Sequence, residues 1–223
     1  MKMLRDLRAC FFDRHALRSY SQEGEDMILR RLFEGRREGF YVDVGAHHPM
    51  RFSNTYFFYR QGWRGLNIEP NPDAALGFRL FRHRDIHVQA GADIIAGEMR
   101  YWCFDEPALN TFDEALMRER ISRTPYRVIE TRMVTVDRLE SILGQFLPAN
   151  QKIDFISIDV EGGDLQVLQS NDWARFRPAL VLVEVLGWRL DLADKHPIDE
   201  FMRGVGYAMV AKTHNTLFYG MKA

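Results

Sequence analysis

Short apolar runs alternate with stretches of helical periodicity along most of the 223-residue chain, a rhythm that predicts strands and helices wound about a mostly parallel sheet. Gly39-Phe-Tyr-Val-Asp-Val-Gly, Gly65-Leu-Asn-Ile-Glu-Pro, Ile86-His-Val-Gln-Ala-Gly, Ile153-Asp-Phe-Ile-Ser-Ile-Asp and Ala179-Leu-Val-Leu-Val-Glu-Val read as strands. Their Val/Ile-rich character suits strands covered on both faces. Between them, Ser53 or Asn54 can cap a helix through Tyr56, Phe57 and Phe58 that stops at Gly62, and 137–147 and 164–173 supply further helices. Tyr207-Ala-Met-Val-Ala-Lys and Thr216-Leu-Phe-Tyr-Gly, joined by Thr213-His-Asn, predict an antiparallel hairpin at the sheet's edge.

Two segments break the rhythm. The stretch 99–131 has few large aliphatic residues, and Arg118, Arg120, Arg123, Arg127 and Arg132 lie in it or beside it. It reads as an insertion or substrate-side lid, or equally as a solvated basic surface. Near the N-terminus, Leu4, Leu7, Phe11 and Phe12 follow a helical spacing beside Arg5, Arg8 and Arg14. That pattern suits a docking helix or lid over 1–20, or a membrane-surface helix, ahead of one domain over 21–223.

Composition narrows the class. With 46% hydrophobic and 27% charged residues, the chain is able to bury one substantial core. Thirty basic and thirty-one acidic side chains leave a formal charge of −1, so no global positive field favours nucleic acid or anionic lipid. Cys10 and Cys103 are distant in sequence and lack metal-ligand spacing, which disfavours a disulfide framework or a zinc site. No apolar run reaches the roughly 18 to 20 residues of a membrane span, and a signal-peptide core is not evident, so a cytoplasmic location is expected.

The candidate chemistry sits at predicted strand ends. Asp43-Val-Gly-Ala-His-His-Pro follows the first strand, where open α/β sheets place their ligands, and Gly45 and Ala46 allow close approach to the backbone. The glycine pattern of a dinucleotide site is missing, because His47, His48, Pro49 and Met50 follow Gly45. Glu69-Pro-Asn-Pro ends the next strand, and its carboxylate suits the two ribose hydroxyls of an adenosine-containing ligand. The third strand ends in Gln89-Ala-Gly-Ala-Asp93, where Ala92 leaves room for adenine and Asp93 is able to accept its amino protons, although a plain turn fits as well. Asp159-Val-Glu-Gly-Gly-Asp164 and Glu184-Val-Leu-Gly-Trp188 bring further carboxylates to the same edge, a pattern suited to acid–base work.

Six blocks carry a resemblance: Ser21-Gln-Glu-Gly-Glu-Asp26, Phe40-Tyr-Val-Asp-Val-Gly-Ala-His-His-Pro49, Ser53-Asn-Thr55, Gly62-Trp-Arg-Gly65, Ile68-Glu-Pro70 and Ile158-Asp-Val-Glu-Gly162. In this order they resemble the FkbM family of S-adenosylmethionine (SAM)-dependent methyltransferases, from about residue 21 to the C-terminus. The resemblance implies a class I methyltransferase fold, Rossmann-like, with a seven-stranded mostly parallel sheet, an antiparallel last strand and helices on both faces. It places SAM across Asp43, Gly45 and Ala46, with Glu69 on the ribose and the Ala92–Asp93 loop on the adenine. Gln22, Ser53 and Asn54 are its candidates for the methionine end. It further implies a hydroxyl acceptor on a sugar, glycan or secondary metabolite.

Transfer to a hydroxyl calls for a nearby base, and His47, Asp159 and Glu161 are the candidates, with His48 and Glu184 orienting a base or the substrate. A structural hydrogen bond in the turn is an equal reading of each histidine. A divalent cation on Asp159, Glu161 and Glu184 is the less favoured route to the same end. The arginines of 99–131 suit a phosphate or carboxylate on the acceptor, such as a nucleotide-linked sugar. Competing classes are a catalytically silent SAM-binding module and a nicotinamide oxidoreductase.

Overall fold

The Val/Ile-rich runs form the centre of the sheet. A computed structural model describes residues 16–189 and 196–222, and the N-terminal helical pattern with Cys10 lies outside the described residues. Strands β1 (Phe40–Val44), β2 (Arg64–Ile68) and β3 (Ile86–Val88) are parallel neighbours and run outward from the middle of the sheet. The chain then crosses back and adds β7 (Phe155–Ile158) and β8 (Leu180–Glu184) in parallel on the other side of β1. The hairpin of β9 (Tyr207–Lys212) and β10 (Thr216–Met221) closes that side, with β10 antiparallel to β8. The resulting order, β3-β2-β1-β7-β8-β10-β9, is the class I methyltransferase arrangement. Its strand order reverses between β1 and β7, where parallel strands leave a crevice at their carboxyl ends.

Alternation along the buried strands divides the core in two. Val42, Val44, Ile68, Ile156 and Val181 pack on one face with Leu139 and Leu143 of α5 (Leu139–Phe146), Leu168 of α6 (Asp164–Gln169) and Met202 of α7 (Pro197–Gly204). Tyr41, Phe155 and Phe218 face the other way, against Leu29 of α1 (Glu25–Leu32), Phe58 of α2 (Tyr56–Arg60) and Trp63. Each fully buried aliphatic or aromatic side chain contributes roughly 1.5–3 kcal/mol. The Trp63 ring occupies the space a side chain at Gly39 would need, so the glycine permits this packing.

The stretch 99–131, expected as an insertion or substrate-side lid or as a solvated basic surface, contains regular elements. It lies within β5 (Gly97–Phe104), α4 (Glu114–Arg123) and β6 (Val128–Asp137), and β6 joins antiparallel β5 to the two-residue β4 (Gly91–Ala92) in a second sheet. The strands were hidden because β6 is largely exposed and carries charge on its outer face; only Val134 and Val136 are buried along it. Arg118 and Arg123 pair with Glu114 and Glu119 one helical turn away, and Arg132 pairs with Glu130 and Asp73. Three of the arginines expected to await an anionic acceptor are thus held by the protein's own carboxylates.

The helix expected over 164–173 ends early, at Gln169, and Thr55 takes the N-cap position of α2 in place of the expected Ser53 or Asn54. Ser53 Oγ accepts from the backbone N–H groups of Thr55 (3.3 Å) and Tyr56 (3.1 Å), while Asn54 turns away and donates to Ser157 Oγ (2.9 Å). The Ser21–Asp26 block acts as a strap. Asp26 accepts from Ser19 Oγ, Ser21 Oγ and the Tyr20 N–H, and Glu23 and Glu25 accept from Asn215, Thr213 and Thr216 in the β9–β10 turn.

Candidate active site

At the carboxyl ends of β1, β2 and β7 lies a cavity of about 260 Å³. Gly45 enters it from the turn after β1, where its φ of +78° and contact with the Asp159 carbonyl leave no room for a side chain. His47 follows in the same turn with φ of +50°, an uncommon conformation for a residue with a Cβ. The turn is held by Glu69: one carboxylate oxygen accepts from the His47 N–H (2.7 Å) and the other from the Asn71 N–H (2.8 Å). Glu69 is 4% exposed, and burial pushes its carboxyl up to about 7 despite these two donors.

The cavity wall contains Gln22, Gly45, His47 and Glu69, and on its other sides Ala92, Asp93, Asp159 and Glu161. Asp43, Ala46, Ser53 and Asn54 are not on that wall. Asp43 lies behind it, 6% exposed, and accepts from Thr55 Oγ1 at 2.6 Å. Its neighbours explain why it is buried there. Arg82, at the end of α3 (Ala75–Phe81), donates to Thr55 Oγ1 (2.9 Å), the Pro49 carbonyl (2.9 Å), Tyr41 Oη (2.9 Å) and Asp85 (2.8 Å). This buried guanidinium ties the 49–55 loop to the sheet beneath it. Burial nonetheless raises the Asp43 carboxyl, with Thr55 and Arg82 opposing the rise.

A second group of acids stands at the ends of β7 and β8. One carboxylate oxygen from each of Asp159, Glu161 and Glu184 lies within 4.8 Å of the others, a spacing able to hold a cation. Burial raises Asp159 well above the usual carboxylate range, and the neighbouring Glu184, Glu161 and Asp164 raise it further. Glu184, beside Asp159, is pushed up to about 8, mainly by burial. Mutual repulsion between carboxyls this close and their dry setting both disfavour charge, which raises their affinity for a proton. Asp159 Oδ1 is buried and has no hydrogen-bond partner among the described residues. Glu161, with φ of +57°, is held by an ion pair to Arg120 of α4, and its carbonyl accepts from Thr111 Oγ1 (2.8 Å).

The two histidines part ways. His48 Nδ1 accepts from the Met50 and Arg51 N–H groups (3.0 and 2.9 Å), which makes it a turn residue. His47 Nε2 is buried without a partner among the described residues, and its ring lies nearly parallel to Phe52. Burial, aided by Arg51, lowers His47 to about 4, so the ring is neutral at physiological pH.

Sequence reasoning missed the wall supplied by the second sheet. Met99, Tyr101, Asn110, Phe112 and Asp113 line the cavity. The available signal was the alternation in Tyr101-Trp-Cys-Phe104, where Tyr101 and Cys103 turn inward. No arginine lines the cavity among the described residues.

Strand order and crevice together define a methyltransferase-type α/β domain. A profile of the methyltransferase FkbM domain matches residues 43–209, and the chain belongs to that family. No curated protein gives a significant match. Among solved structures, the chain is similar to a TehB-like SAM-dependent methyltransferase from Corynebacterium glutamicum, at 12% identity and a TM-score of 0.46, over 99% of this chain and 95% of the other. It is also similar to the Burkholderia thailandensis 1,6-didemethyltoxoflavin-N1-methyltransferase, at 14% identity and a TM-score of 0.46, over 100% and 85% of the two chains. Likeness at this level assigns neither the acceptor nor the methylated atom. No helix among the described residues is long and apolar enough to cross a membrane.

Proposed function

We propose that the protein binds SAM in this cavity and methylates a hydroxyl oxygen of a small-molecule or glycan acceptor. The observation that carries the reading is Glu69, a buried carboxylate fixed by two backbone donors at the end of β2 and presented to the cavity beside Ala92 and Asp93. Each oxygen keeps a free lone pair, so the pair is able to take both ribose hydroxyls while Asp93 meets the adenine edge. Gln22 and Gly45 face the methionine end, and Asp43, Ala46, Ser53 and Asn54 support it from behind. SAM contributes a methyl group made electrophilic by the sulfonium.

The remaining work belongs to the protein. Asp159, on the cavity wall, and its neighbour Glu184 form a carboxyl pair whose proton affinity is raised by burial and mutual repulsion, which suits removal of an acceptor's hydroxyl proton as the new bond forms. Glu161, held by its ion pair to Arg120, stands beside them. Neutral His47 offers Nε2 to orient the acceptor hydroxyl, with its basicity too low to make it the main base. The cavity's carboxyl groups support an uncharged acceptor over a phosphorylated one.

The spacing of Asp159, Glu161 and Glu184 supports a second reading, in which a divalent cation lowers the acceptor's pKa. Loss of turnover in EDTA, restored by magnesium, would select it.

Calorimetric titration with SAM, S-adenosylhomocysteine and NAD tests the central reading. Binding of both adenosyl ligands, none of NAD, and a large loss in Glu69→Ala are expected. Folded protein that binds neither adenosyl ligand overturns it, and binding without turnover of any hydroxyl acceptor points to a silent module.

A further inference from the structure

The third-strand loop is where the two sheets meet. After β3 the chain leaves the main sheet, and Gly91 and Ala92 pair instead with Val136 and Asp137 of β6. A side chain at Gly91 would run into the Phe112 ring and Val136, so the glycine lets Phe112 lie directly against this loop. Phe112 in turn packs on Tyr101, with ring centroids 4.6 Å apart. Tyr101 is 5% exposed yet lines the cavity that Glu69 also lines. Met99, Tyr101 and Phe112 therefore line the same cavity as Ile68, Glu69 and Pro70.

We infer that this second sheet is the cover of the adenosine subsite, with Tyr101 as a cofactor-binding residue whose hydroxyl serves the ribose edge beside Glu69. The inference rests on the adenosyl reading above and moves the 99–131 segment from the acceptor's side to the cofactor's. Two apolar walls with a carboxylate between them suit a flat base joined to a diol. The cover is fixed at its far end as well. Arg120 pairs with Glu161 and donates to the Leu109 carbonyl (2.7 Å), and Thr111 Oγ1 bonds the Glu161 carbonyl (2.8 Å). The ligand thus meets a preformed wall and bears little of the entropy of ordering one.

The test uses two ligands that share adenosine and differ in the amino-acid tail: S-adenosylhomocysteine and 5′-methylthioadenosine. Each is titrated calorimetrically into the full-length wild type and into Tyr101→Phe, Phe112→Ala and Glu69→Ala. Tyr101→Phe keeps the ring that packs on Phe112, and it is expected to weaken both ligands alike, by about threefold to tenfold for one hydrogen bond. Phe112→Ala, which removes the support, is expected to weaken both further. If Glu69→Ala loses affinity while Tyr101→Phe retains it for both ligands, the inference fails and the adenosyl reading stands. Weakening of S-adenosylhomocysteine alone would place Tyr101 at the methionine end and also overturn it. A wild type that binds neither ligand removes the adenosyl reading itself.

Discussion

Glu69 makes cofactor affinity depend on pH in a direction the structure fixes. Its carboxyl sits at about 7 in the ligand-free protein because burial outweighs the two backbone donors. A ribose diol donates its hydroxyl protons, so it favours the ionised form. At about pH 8 roughly nine-tenths of Glu69 is ionised and at about pH 6 roughly one-tenth, which predicts about a tenfold loss of S-adenosylhomocysteine affinity, or about 1.4 kcal/mol. Affinity is therefore full above about 7 and falls as pH drops below it. Stability of the ligand-free protein runs the other way. The folded carboxyl lies above its ordinary value of 4.5, so the native state holds the extra proton between 4.5 and about 7, and stability falls as pH rises through that window. Glu69 accounts for on the order of 3 kcal/mol of that decline, and an adenosyl ligand restores it. Calorimetric titration across this range, with thermal unfolding on the same samples, measures both slopes. Glu69→Gln isolates them from Asp164 and Glu184, which are pushed up to about 7 and about 8. A flat affinity profile in the wild type, or an unchanged slope in Glu69→Gln, would refute the argument.

Three further outcomes are expected. Asp159→Asn should leave S-adenosylhomocysteine affinity within about threefold while lowering turnover about a hundredfold, because it removes a proton acceptor rather than a binding contact; equal losses in binding and turnover would contradict that division. Arg82→Met strands Asp85 and Asp43 in the interior and should lower the unfolding free energy by about 3–5 kcal/mol in urea titrations, with Arg82→Met/Asp85→Asn recovering part of it. Gly45→Ala places a methyl group against the Asp159 carbonyl at a left-handed φ, so adenosyl binding should be lost in calorimetry even where circular dichroism shows a folded chain.

Much of the frame was legible along the chain. Apolar runs too rich in Val and Ile for a half-exposed sheet located five central strands, and the alternating C-terminal segments located the hairpin. Strand-end motifs are legible for the same reason, since β1 and β2 must stop where Gly45 and Pro70 interrupt them, and ligands gather at those ends. Thus Gly45, His47, Glu69, Asp93, Asp159 and Glu161 were named from sequence and meet at one cavity.

Depth and direction were not legible. Nothing local distinguishes Asp43, held behind the wall by Thr55, from Glu69 on it, because the difference comes from Arg82 packed beneath a loop some thirty residues earlier. The arginines of 99–132 likewise look uniform in sequence, yet Arg120 is buried against Glu161 while Arg118 and Arg123 lie on the surface. A sequence records which residues carry charge and where regular structure can start or stop, since propensity and periodicity are local. Which carboxylates share a proton, and which insertion roofs which half of a ligand, depends on distances between residues far apart in the chain, and only the packed sheet sets those.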